Sequence, residues 1–152
     1  MRFKPNVTVA AVIERDGKFL LIEEQTEDGL MLNQPAGHLE RGETLAEAVA
    51  REALEESAHP FTPAFLVGIY HWPNEPKDIT YMRFAFGGAA GPAQAGRALD
   101  TGIVRTLWMS RAEVAASRAR HRSPYVLACV DDYLAGRRFP LDLVRHFGSL
   151  AG

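Results

Sequence analysis

The chain is poor in cysteine, in net charge and in long apolar runs. A single cysteine, Cys129, excludes an internal disulfide framework. It lies in an apolar, helix-like stretch and reads as a buried, inert thiol rather than a nucleophile. A net charge of −2 excludes a global basic field of the kind that draws proteins to nucleic acid or to anionic membranes. No uncharged apolar run is long enough to span a bilayer, and "MRFKPNVTVAAVIERDG" at the start has no long h-region. A soluble cytoplasmic protein is the expectation. With 152 residues, ordinary globular composition, no internal repeat and no linker, residues 1–152 are expected to form a single domain.

What is present reads as strands with helices interleaved, an α/β domain. "VTVAAVI" (7–13) is apolar and rich in β-branched residues, "RDG" after it is a turn, and "KFLLIEE" is the second arm of a hairpin. Pro35, Gly37 and Gly42 predict an irregular loop over "LMLNQPAGHLERGE". Thr44 and Glu47 form a capping box that opens a helix, and Pro60 stops it near Ala58. "AFLVGIYHW" and "ITYMRFAF" are two further strands joined by a polar turn. "GGAAGPAQAGRALDTG" (87–102) is expected to be a mobile surface loop, followed by the strand "IVRTLWM". Ser110 and Glu113 repeat the capping box. The last helix is predicted from Ser123 as N-cap, Pro124 at N1 and Gly136 past its end.

The helix after Thr44 carries an anomaly in "REALEES" (51–57). With about 100° per residue, Leu45, Ala48 and Val49 share the core side. Glu52 and Glu56 fall on that same side, Glu55 lies beside it, and Glu47 and Leu54 lie opposite. A solvated acidic face would place the glutamates away from the apolar stripe. Here they extend it, at a helix C-terminus that favours cations. Such convergence needs compensation. Helix geometry leaves two readings open: a salt-bridge network around Arg51, or a bound hard cation, Mg²⁺ before Mn²⁺, on all-oxygen ligands.

The preceding loop adds a motif. In "GHLERGETLAEAVAREALEESAH" (37–59), Gly37 is followed after five residues by Glu43, and after seven more by Arg51-Glu52; Glu55-Glu56 follow after two more. This resembles the Nudix box. Ala58 stands where the family usually has glycine, His59 where it usually has an aliphatic residue, and Ala53 is small for its apolar position. "FKPNVTVAAVI", "NQPAGHLE" and "RSPYVLACVDDYLAGRRFPLDLV" extend the likeness over nearly the whole chain, toward the NudJ-type phosphatase branch of that family. Leu32 departs from this branch, which carries tryptophan there; a ring that held a base would be lost.

The resemblance implies a Nudix α/β/α sandwich with a mixed central sheet. It also implies a Mg²⁺-dependent hydrolase (Mn²⁺ as substitute) acting on nucleoside tri- and diphosphates or thiamine-type diphosphates. Its partner would be that small molecule, with no nucleic-acid polymer and no membrane, in a monomer or homodimer. Glu52, Glu55 and Glu56 are the expected metal ligands, with the Gly37 carbonyl as a further one. Glu55 and Glu56 carry the catalytic assignment, with Arg51 and Glu43 as an ion pair that positions them. The general base stays open between a box glutamate and Asp100, which also reads as a plain surface aspartate. His38 reads as an exposed loop histidine without a role. Arg83, Arg137 and Arg138 read as solvated charges in preference to phosphate contacts, and Trp72, Tyr81 and Phe3 as packing rather than stacking on a base. The alternatives are a house-cleaning nucleotide pyrophosphatase and a non-catalytic nucleotide-binding module.

Overall fold

A computed structural model describes residues 2–148. β1 (Asn6–Val12) is apolar on both faces because both are covered, the pattern of a central strand. Ala10 and Val12 enter one core with Phe19 and Leu21, while Val9 and Ala11 enter a second with Leu20, Val49 and Ala53. β2 (Glu14–Arg15) and β3 (Lys18–Thr26) form the expected hairpin on a two-residue turn. Asp16 and Gly17 both take positive φ, 53° and 78°, which matches the strand twist.

The segment 30–43 is not one irregular loop. It contains most of β4 (Gly29–Asn33), which pairs with β3, and β5 (Ala36–His38), which pairs with β1. Short edge strands with polar residues carry too little apolar periodicity to be read from the chain. A mixed sheet runs β5-β1-β7-β6, with β6 spanning Phe61–Asn74 and β7 Ile79–Ala90; β1 and β7 are parallel. In the second, antiparallel sheet β3 lies between β4 and β8 (Ile103–Ser110), with β2 pairing on the β3 hairpin. α1 (Leu45–Ser57) covers one side of the mixed sheet, and α3 (Tyr125–Leu134) the other, next to α2 (Arg111–Ala116). The α/β/α layering and the mixed sheet are those expected.

Both capping boxes are formed, Thr44 with Glu47 and Ser110 with Glu113. Two expectations need correction. Residues 87–90 continue β7, because β6 passes so close that a Cβ at Gly88 would overlap the Thr62 carbonyl. Ser123 makes no side-chain cap on α3: Pro124 already has helical φ and ψ, and the Ser123 hydroxyl is buried without a partner. Gly136, at φ 81°, ends that helix as predicted.

Ala58 ends α1 at φ 63°, in the left-handed region where glycine is at ease. Ala58→Gly should therefore raise stability by roughly 0.5 kcal/mol, the residue of relieved strain after the extra unfolded-state entropy of glycine; the thermal midpoint measures it. Buried Glu23 joins β3 to two cations, accepting from Arg105 Nε at 2.9 Å and from Arg120. These bonds hold its carboxyl below the usual glutamate range. A depressed folded pKa gives stability that is present above the unfolded value and lost as pH falls through the folded one. Glu23→Gln should thus lower the midpoint at neutral pH, with the gap from wild type closing below about pH 4.

Candidate active site

α1 projects Glu52, Glu55 and Glu56 from its last turns, and β5 brings Gly37 against them. Gly37 has no room for a side chain: a Cβ there would overlap the carboxyl carbon and both oxygens of Glu52. Glu52 is 9% exposed and Glu47 is on the outside, as the helix spacing requires. Arg51 holds the acids in register. It donates to Glu43 through Nε at 3.0 Å and Nη2 at 2.8 Å, to Glu52 at 2.7 Å, to Glu55 at 2.8 Å and to the His38 carbonyl at 3.0 Å. The salt-bridge network left open by the sequence is therefore present, and Arg51 is shared among more carboxylates than it can neutralise.

Asp100 adds to that excess. Its backbone N–H donates to the Glu55 carbonyl at 3.0 Å, and Gln94 N donates to the Ala58 carbonyl at 2.9 Å. Segment 91–102 is thus tied along the end of α1, where helix carbonyls lack internal partners. Carboxylate oxygens of Glu52, Glu55 and Asp100 come within 4.8 Å of one another. Glu56 lies outside this group and accepts from Ala36 N at 2.9 Å. Burial pushes the Glu56 carboxyl up to about 8 and raises Glu52, though Arg51 opposes the latter. Asp100 is raised by partial burial and by Glu55. Glu43 is lowered by its bonds from Arg51. An all-oxygen donor set with excess negative charge, pressed against a residue that must be glycine, fits a hard divalent cation.

Beside the acids lies a cavity of about 340 Å³ bordered by Gly37, Glu56, Glu24, Trp72, Tyr81 and Arg83, among others. Arg83 is a correction: it is 2% exposed at the cavity wall, not a solvated charge. Trp72 and Tyr81 border the same cavity, whereas Phe3 does not; at 70% exposure it is not the packing residue expected. Arg138 packs over Phe65 and Tyr133, Arg137 pairs with Asp132 at 3.6 Å, and neither borders the cavity. His38 is exposed at the cavity rim, within 3.3 Å of Asn6 Nδ2. Leu32 is fully buried in the core, and strand alternation gives Met31 and Asn33 to the cavity instead. Position 32 is therefore not a cavity wall in this chain. His59 is buried, with Nδ1 2.8 Å from the Gly91 carbonyl and its ring edge-on to Trp108. Cys129 is buried and its thiol is pushed up by burial, as expected of an inert one. Glu24, bonded to Arg122 at 2.6 Å, borders the cavity without any motif to announce it.

Residues 2–128 match the NUDIX domain. The chain belongs to the Nudix family. It is 37% identical over 145 residues to the phosphatase NudJ of Escherichia coli K12, covering 95% of this chain and 94% of that protein; NudJ of Shigella flexneri matches equally. A Nudix hydrolase of known structure from Nitrosomonas europaea is 52% identical, with a TM-score of 0.92 over 95% of this chain and 98% of its own. A MutT protein from Methanosarcina mazei, 21% identical with a TM-score of 0.72 over 90% of this chain and 99% of its own, shares the fold. This Nudix chain is a phosphohydrolase. Nudix hydrolases generally use divalent metals, and the acid cluster of Glu52 and Glu55 on α1 with Asp100 is compatible with one. Among the described residues no helix is long and apolar enough to cross a membrane.

Proposed function

We propose that the protein hydrolyses small diphosphate compounds, nucleoside tri- and diphosphates or thiamine-type diphosphates, with Mg²⁺ held on α1 and Mn²⁺ able to replace it. The observation that carries this reading is the convergence of Glu52, Glu55 and Asp100 next to Gly37 and Glu56, which border a ligand-sized cavity. Glu52, Glu55, Glu56 and the Gly37 carbonyl would hold the ion. When bound, such an ion neutralises phosphoryl oxygens and acidifies water. Arg51 and Glu43 position the ligands: the bidentate pair fixes the guanidinium, whose other edge fixes Glu52 and Glu55. The general base would be a box glutamate or Asp100, whose carboxylate oxygen lies within 4.8 Å of those of Glu52 and Glu55. A binding module that had given up catalysis would be expected to have lost some of these acids; every charged position of the box is present.

The reading is tested by orthophosphate and pyrophosphate release from nucleoside di- and triphosphates and thiamine diphosphate, with and without Mg²⁺. Mg²⁺-dependent orthophosphate release is expected. Pyrophosphate as the product would favour the house-cleaning pyrophosphatase. Tight nucleotide binding without turnover would replace hydrolysis by recognition.

A further inference from the structure

Three buried side-chain polar atoms lack any hydrogen-bond partner among the described residues: Thr8 Oγ1, Arg83 Nε and Ser123 Oγ. All three residues border the one cavity beside the acid cluster. Chance placement would scatter them through the core. Buried polar groups are nearly always satisfied, so each orphan calls for a reason. Thr8 and Arg83 are register partners on the parallel strands β1 and β7, and so stand side by side on one face. Ser123 meets them from the segment leading into α3.

Arg83 is the most demanding of the three. The residue is 2% exposed, and no described carboxylate lies within salt-bridge distance of its guanidinium. Its partners are neutral: Gln34 Oε1 and Asn33 Oδ1, each at 2.8 Å, the Cys129 sulfur at 3.8 Å, and the face of Tyr125 at 4.1 Å. A buried cation with neutral partners and a spare donor is costly by itself. A ligand bringing acceptors would offset that cost. The surroundings indicate which kind. Tyr81, two residues from Arg83 on the same face of β7, stacks with Trp72 at 5.7 Å and 20°, and Trp72 meets Tyr125 edge-on at 5.5 Å. Aromatic walls around donors suit a planar ring rather than a phosphate. The acids that suit a metal-bound diphosphate lie at the Gly37 end.

We infer that Arg83, Thr8 and Ser123 are specificity residues that read the acceptor edge, a carbonyl oxygen or ring nitrogen, of a heteroaromatic ring held in this cavity. The inference rests on the hydrolase reading for what is attached to the ring, and deepens it by saying how the ring is chosen. The three orphans are then the polar groups that a bound ring completes, and their cost is met only in the complex.

Calorimetric titration with uridine, cytidine, adenosine, guanosine and thiamine monophosphates, against ribose 5-phosphate as a ring-free control, tests this in the presence of Mg²⁺. At least one ring-bearing probe should bind about tenfold or more tighter than the control. Arg83→Lys, which keeps the charge and loses the fork, should weaken that probe about tenfold or more and leave ribose 5-phosphate unchanged. Thr8→Val, close to isosteric and relieved of an orphan hydroxyl, should weaken it several-fold while its thermal midpoint stays or rises. Equal weakening of ring-bearing and ring-free probes would make Arg83 a phosphate contact and overturn the inference. Unchanged binding in both variants, or no preference for any ring, would overturn it too. Ring binding that responds to these variants in a protein that cleaves no diphosphate would leave the inference standing and remove the hydrolase reading.

Discussion

Glu56→Gln should leave the fold intact and lower kcat by at least ~10²-fold on any diphosphate the wild type cleaves, the scale lost when a group acting in the transition state is removed. Glutamine retains an oxygen to accept the Ala36 N–H that Glu56 now accepts at 2.9 Å, so β5 should keep its place. Burial already pushes the Glu56 carboxyl up to about 8, so the neutral amide replaces a group whose ionisation the site opposes. The metal-free thermal midpoint should therefore hold or rise while turnover falls. Opposite movements of stability and activity mark a residue kept for chemistry. Steady-state kinetics with a thermal melt on the same preparation reads both; near-normal kcat would take Glu56 out of the site.

Gly37→Ala should damage catalysis far more than it damages the fold. The added methyl would overlap the Glu52 carboxylate, which is hemmed in by Arg51 on its other side. Either Glu52 turns away or β5 withdraws from α1. Overpacking of this kind costs about 1–3 kcal/mol, which a folded domain survives. A displacement near 1 Å at the reacting centre costs about 10² in rate, so the expected loss of kcat is ~10²-fold or more. A circular dichroism spectrum like that of the wild type with such a loss would place the effect at the site. Full activity would show that Glu52 need not sit where it does.

The acid cluster was legible in the sequence because a helix converts spacing into direction. Glu52 and Glu56 could be placed on the apolar side from their offsets to Ala48 and Val49 alone, and Glu52 is buried as that requires. Capping boxes and the Asp16-Gly17 hairpin turn were legible for the same reason: their chemistry is local. What escaped was set by distant pairing. Ala36–His38 became a strand only because β1 offers an edge, and residues 87–90 only because β6 lies against them. Asp100 could be singled out from its loop, but its approach to Glu55 depends on a backbone bond between residues far apart in the chain. Arg83 was misjudged because a strand arginine is ordinarily at the surface. Nothing local reveals that Gln34, Asn33 and Tyr125 converge on it. The place of Leu32 in the core also depends on pairing, since strand alternation turns it away from the cavity.

The most direct test of a metal-assisted hydrolase on α1 is phosphate release from a nucleoside diphosphate after removal of divalent ions, and again after Mg²⁺ is restored, in the wild type and in Glu52→Gln. The account predicts no turnover without the ion, recovery on adding Mg²⁺ in the wild type, and little recovery in the variant at the same Mg²⁺ concentration. Turnover that persists in the stripped protein, or full recovery in Glu52→Gln, would contradict it.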